Sequence, residues 1–311
     1  MVGMFSGTSS RILLVHGDAH NMTILYDERC TGYGTPGHPE RPERVSRTAE
    51  HLRRAHSECQ WQTPSPAERE ALLRAHSEQH LTRLNEGQHF DPDTPFYEGI
   101  FEHAARSAGA AIECARLALR GQRAFSLMRP PGHHATRDRA MGFCYLNSIA
   151  IAALDALTRG IARVSIWDFD AHHGNGTEEI CDGNANLRYV SVHEHPAYPG
   201  TGSHTRGNIF NFPLIVESSR SHQVATLRNA WDCALEFDPQ LILVSAGFDG
   251  YVHDPLCSLS LDTEDYRSCG EWMSQSALPS AAILEGGYSD DLPLLIDAFL
   301  SGWDSRPVGA V

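Results

Sequence analysis

The sequence predicts an α/β domain organised around a mostly parallel sheet. Three observations point to it. Short apolar runs alternate with longer amphipathic stretches through the middle and C-terminal parts. The carboxyl end of each run leads into a string of histidine, aspartate, glutamate or glycine, where open α/β sheets bind their ligands. The chain has 311 residues and is 41% hydrophobic, enough for a large core around one sheet.

Taken in order, residues 1–10 are small and polar and read as a frayed leader, leaving 11–311 as one catalytic domain. Ile12–Val15 is too short for a signal peptide, and no apolar run approaches a membrane span, so the protein is expected to be cytoplasmic. Helices are expected over Pro42–Ala55, Glu68–Arg74 and Gln79–Leu84, among loops rich in Gly, Pro and His. Helices follow over Glu98–Leu119, Asn147–Leu157, His222–Glu236, Thr263–Ser274 and Asp291–Leu300. In the longest, Phe101, Ala104, Ala105, Ala108, Ile112 and Ala115 form one stripe. Strands are expected over Ala124–Met128, Val164–Asp168, Leu187–Val192, Leu241–Ser245 and Ala281–Leu284.

The formal net charge of −14 argues against nucleic-acid binding. All 25 basic residues are arginine. The eight cysteines are scattered without a CxxC pair, which excludes a zinc finger and a disulfide framework. The 18 histidines matter where they cluster.

They cluster at the strand ends. In Asp168-Phe-Asp170-Ala-His172, alternate residues of an extended segment face one way, so Asp170 and His172 can reach one metal together. Asp249, after another strand, can complete the set. Two carboxylates and an imidazole balance Zn²⁺ and leave a coordination position open, as a catalytic site requires. His133 and His134 follow the stiff Pro130-Pro131-Gly132 turn and suit acid–base work beside a metal, with Asp168 and Asn175 available to orient them. Tyr288, after Gly286-Gly287, can donate to a developing oxyanion.

Seven strings in order resemble the histone deacetylase superfamily, within the class II-like group of bacterial histone-deacetylase-like amidohydrolases and acetylpolyamine amidohydrolases. They are Gly37-His-Pro-Glu-Arg-Pro42, Arg129-Pro-Pro-Gly-His-His134, Gly142-Phe-Cys-Tyr-Leu-Asn147, Asp168-Phe-Asp-Ala-His-His-Gly-Asn-Gly-Thr177, Pro199-Gly-Thr-Gly202, Ser245-Ala-Gly-Phe-Asp249 and Glu285-Gly-Gly-Tyr288. The resemblance implies an arginase-like fold with an eight-stranded parallel sheet. It implies one Zn²⁺ on Asp170, His172 and Asp249, His134 as general base, His133 as its electrostatic neighbour paired with Asp168, and Tyr288 as oxyanion donor. It assigns Gly142, Phe143 and Tyr198 to a narrow substrate tunnel, Asp93 to a rim carboxylate, and Leu256 to a position that favours acyl-lysine. It also implies a structural potassium ion near Asp168, Asp170, His172, Ser191 and Val192. Asn175 stands where class I members carry Asp. The expected activity is removal of acetyl or other short acyl groups from the lysine ε-amine of proteins or peptides. Acetylpolyamine hydrolysis is the alternative, ahead of an acyl-lysine binding module or an arginase-type ureohydrolase. No nucleic acid or membrane is expected as partner, and a homo-oligomer is compatible with the sequence.

Overall fold

The computed structural model describes residues 22–87 and 90–305. The expected leader lies outside them. The eight strands are β1 (Met22–Leu25), β2 (Gln60–Gln62), β3 (Arg123–Ser126), β4 (Val164–Asp168), β5 (Leu187–Glu194), β6 (Ile209–Leu214), β7 (Leu241–Ala246) and β8 (Ser280–Leu284). They form one sheet in the order β2-β1-β3-β8-β7-β4-β5-β6. Every pairing is parallel. β4, β7 and β8 are buried along their whole length, which is why they read as predominantly apolar runs.

Among the described residues the helices are α1 (Glu43–Ala55), α2 (Arg69–Ala75), α3 (Glu78–Glu86), α4 (Ile100–Leu119), α5 (Ser148–Thr158), α6 (Asn175–Cys181), α7 (Arg220–Leu235), α8 (Thr263–Ser276) and α9 (Leu292–Asp304). α4 and α5 pack against one another and the central strands on one face, with α2 behind them. α1, α9, α8 and α7 make up another packed series, with α7 against β4, β5 and β6. Of the expected stripe on α4, the alanines and Ile112 are buried, while Phe101 is partly exposed. α8 is capped by Asp262, whose carboxylate accepts from the Glu264 and Asp265 N–H groups, stabilising its start. None of the described helices is long and apolar enough to cross a membrane.

Three strands escaped the sequence patterns. β1 and β2 are only four and three residues long, and β2 is a partly exposed edge. β6 carries Pro213, which an edge strand tolerates because one row of its backbone groups needs no partner. α6 also went unseen, because seven residues beginning Asn-Gly-Thr show no apolar period.

The backbone alternation after β4 decides where the chemistry goes. Trp167 and Phe169 turn into an aromatic layer, with Trp167 5.0 Å from Trp231 and Phe169 5.7 Å from Phe299, centroid to centroid. Asp168 and Asp170 therefore project in the other sense, toward the crevice.

Candidate active site

Five neighbouring strands, β3, β8, β7, β4 and β5, send their carboxyl-terminal loops to one place. Ligand atoms of Asp170, His172 and Asp249 lie within 4.8 Å of one another. His172 Nδ1 is 2.8 Å from Asp249 Oδ2 and 3.3 Å from Asp170 Oδ1. The carboxylates are fixed by backbone donors: Gly286 N–H donates to Asp170 Oδ2 at 2.7 Å and Ala171 N–H to Asp249 Oδ1 at 2.8 Å. Neither Gly247 nor Gly286 has room for a Cβ, which would strike Asp170 at both positions and Asp249 at the second.

The field of this trio favours a cation. Burial disfavours a charged His172, but the Asp249 and Asp170 carboxylates outweigh it and raise its pKa to about 11. Burial and the neighbouring Asp170 charge raise Asp249 to about 7. Two facing carboxylates thus pull a proton onto the imidazole between them. A divalent ion with oxygen and nitrogen ligands answers the same field more fully, so the donor set fits zinc.

The two adjacent histidines have opposite electrostatics. His133 Nδ1 is 3.2 Å from Asp168 Oδ2, and its Nε2 is 3.7 Å from Asp170 Oδ1. Burial opposes its charge, but Asp170 and Asp168 win and raise its pKa to about 10. His134 Nδ1 is 2.9 Å from Asn175 Oδ1. Burial, the His133 charge and His172 together depress His134 well below the ordinary histidine value. One ring is held protonated and the next is held neutral, 4.0 Å apart between centroids.

Tyr288 is buried with its ring 5.7 Å from that of Phe143, and the Arg44 guanidinium sits 4.7 Å over its face. Burial raises the phenol well above its ordinary value, so it stays a donor. Gly142 and Phe143 occupy the tip of a two-residue hairpin closed by reciprocal Met141–Cys144 backbone bonds of 3.0 Å. Both have positive φ, 57° and 68°, the pattern of a type I′ turn. A Cβ on Gly142 would lie 2.6 Å from His134 Cδ2 and 3.0 Å from Tyr198 Cε1. Tyr198 stands edge-on to His134 at 5.1 Å and is exposed. Gly142, Phe143 and Tyr198 thus surround the approach to His134 and Tyr288.

Asp93 is exposed, and its carbonyl is 3.3 Å from His38 Nε2; His38 in turn packs on Phe143 at 4.8 Å. Leu256 is exposed, with its N–H donating to Asp254 Oδ1 at 3.0 Å. Ser191 is paired in register with Asp168, and its hydroxyl is 2.8 Å from His193 Nδ1. Val192 is buried on the same strand.

Three supports were not assigned from the sequence. Asp254 Oδ2 accepts the Tyr288 and Ser289 N–H groups at 2.6 and 3.1 Å, which positions the tyrosine. Glu285, fully buried, accepts the Gly132 and His133 N–H groups at 2.6 and 3.1 Å. Buried Glu40 bridges Arg129 and Arg44, while Arg44 donates to the Glu285 and Gly287 carbonyls at 2.5 and 2.6 Å. Each residue falls in or beside a quoted string, but what it holds depends on loops far apart in the chain.

Residues 38–300 match the family described as the histone deacetylase domain. A probable deacetylase of Archaeoglobus fulgidus is 34% identical over 313 residues, covering 90% of this chain and 86% of that one. A histone deacetylase-like amidohydrolase of Pseudomonas aeruginosa is 34% identical over 278 residues, covering 82% and 73%. Among solved structures, an acetylpolyamine aminohydrolase from Burkholderia pseudomallei superposes with a TM-score of 0.85 at 25% identity, covering 92% of this chain and 99% of that one.

Proposed function

The chain belongs to the histone deacetylase domain family, and on that premise we propose that it is a zinc-dependent deacylase acting on acylated lysine ε-amines of proteins or peptides. The observation that carries this is the meeting of Asp170, His172 and Asp249 beside one protonated and one neutral histidine. One zinc ion per chain, held by those three residues, would supply Lewis acidity toward the acyl carbonyl and toward water.

The protein's own groups do the rest. With Nδ1–H donated to Asn175, His134 keeps the Nε2 lone pair free to take a proton from the attacking water. His133 stays protonated between Asp168 and Asp170 and offsets negative charge beside it. The un-ionised Tyr288 hydroxyl donates to the oxyanion as the carbonyl becomes tetrahedral. Imidazole then returns a proton to the departing amine, and the carbon–nitrogen bond breaks to give free lysine and a short acid. Gly142, Phe143 and Tyr198 hold the lysine methylenes, with Asp93 and Leu256 at the rim. A structural potassium ion near Asp168, Asp170, His172, Ser191 and Val192, and a cytoplasmic site of action, belong to the same proposal.

Acetylpolyamine hydrolysis is the second reading, supported by the name of the Burkholderia structural relative and by a net charge of −14 that attracts polycations. Zinc-loaded protein should release acetate from an acetyl-lysine peptide faster than from acetylputrescine, and chelation or Asp249→Asn should stop both. The reverse preference selects the polyamine reading. Peptide binding without acetate release by zinc-loaded protein overturns the hydrolase.

A further inference from the structure

We infer that the turn from His56 to Cys59 carries a second metal site, taking a borderline cation such as zinc on His56 Nδ1, the Glu58 carboxylate and Cys59 Sγ. Ligand atoms of these three residues lie within 4.8 Å of one another. The turn is closed by the Cys59 N–H donating to the His56 carbonyl at 3.1 Å, immediately after α1. β2 begins at the next residue, so the turn lies at the amino-terminal end of a parallel strand. The catalytic trio lies beyond the carboxyl ends. The inference does not depend on the proposed activity.

Asp297 of α9 supplies the independent argument. Its Oδ1 is 2.9 Å from His56 Nε2, its Oδ2 is 2.7 Å from His51 Nε2, and the Ser301 hydroxyl donates to Oδ1 at 3.2 Å. Asp297 thus holds the Nε2 side of His56 and leaves Nδ1 facing Glu58 Oε1 at 3.7 Å, beyond direct hydrogen-bond reach. A cation between them would be bound by both. A carboxylate orienting the outer nitrogen of a histidine is the usual support of a metal-bound imidazole.

The spacing also fits. Zinc–ligand bonds of about 2.0–2.3 Å in a tetrahedron separate neighbouring ligand atoms by roughly 3.3–3.8 Å. The His56–Glu58 distance already falls there, and Glu58 is 58% exposed, free to adjust. Cys59 is partly buried. Burial first, then Glu58 and Asp304, raises its thiol to about 12, so it is protonated when the site is empty. On binding, the sulfur–metal bond forms and the thiol proton leaves to solvent.

Cobalt(II) added to the metal-free full-length protein provides the test, because only a sulfur ligand gives a thiolate-to-cobalt absorption band in the near ultraviolet. Asp170→Asn protein should retain the band, and Cys59→Ser should lose it together with one equivalent of bound ion. Asp297→Asn should weaken this binding about 10–100-fold. A band surviving in Cys59→Ser would instead come from another thiol, Cys144 near His133 and Glu285 being the nearest alternative. That outcome, or no band in Asp170→Asn protein, overturns the second site. Absence of catalysis in the wild-type protein with the band intact counts against the catalytic reading alone.

Discussion

The floor of the crevice and its rim are built on different terms. On the floor, Asp168, Asp170, Asp249 and Glu285 are each at most 1% exposed, and every one of them is tied to backbone N–H groups or to histidine. At the rim, Tyr198 is 41% and Leu256 39% exposed, and the Asp93 carbonyl reaches inward to His38, which packs on Phe143. Buried charges that share partners must be kept together or not at all, because each leaves an uncompensated neighbour when removed. Exposed side chains can change without that penalty. The physics of burial therefore constrains the chemistry of the crevice, while recognition is left adjustable.

The largest expected effect follows from removing a charge beneath the floor. Glu40→Ala leaves the Arg44 and Arg129 guanidinium groups buried without their carboxylate and should cost about 3–5 kcal/mol in urea unfolding. Burial raises the Glu40 pKa, but Arg129 outweighs it and holds the carboxyl below its ordinary 4.5. With the folded value depressed, Glu40 contributes in full above the unfolded value near 4.5, and its contribution fades as pH falls through the folded one. Acid titration of wild type against Glu40→Gln should show this, and equal acid sensitivity would remove Glu40 from the account.

Next comes Tyr288→Phe, which should lower kcat by ~10²–10³ with the fold intact, the usual loss for one oxyanion donor. Full activity on an acetyl-lysine peptide would strike Tyr288 from the mechanism. Gly142→Ala should be milder in stability, about 1–2 kcal/mol from left-handed backbone. It should still depress turnover, because the new methyl presses on His134. If melting falls and kcat does not, the hairpin matters to folding alone. Smallest is Leu256→Ala, expected within about ±0.5 kcal/mol in stability and visible only in the ratio of peptide to polyamine turnover. A large loss of stability there would erase the distinction between floor and rim.

The same division governs what could be read from the sequence. β4 matches its expected span, Val164–Asp168, because Val164, Ile166 and Trp167 make a short, mostly apolar run buried on both faces. β3 is displaced instead, running Arg123–Ser126 where Ala124–Met128 was expected, since the apolar run continues into the loop after pairing stops. The trio was legible because Asp170 and His172 alternate in one extended segment. Asp249 was read only as a residue after another strand; what brings it into the set is β7 lying beside β4, an adjacency that periodicity does not announce. The roles of Glu40, Asp254 and Glu285 were illegible for a plainer reason. A buried carboxylate looks like any other acidic residue until the backbone N–H groups and guanidinium ions it serves arrive from elsewhere in the chain.

The Gly142–Phe143 tip has a bearing on selection. Its two residues sit in a hairpin closed at both ends by backbone bonds, and the Phe143 N–H is further pinned to Thr94 Oγ1 at 3.0 Å. On the proposed function, an aromatic wall mounted this way would act as a fixed gauge, sorting incoming side chains by thickness before they met any reactive group and admitting a thin, unbranched chain.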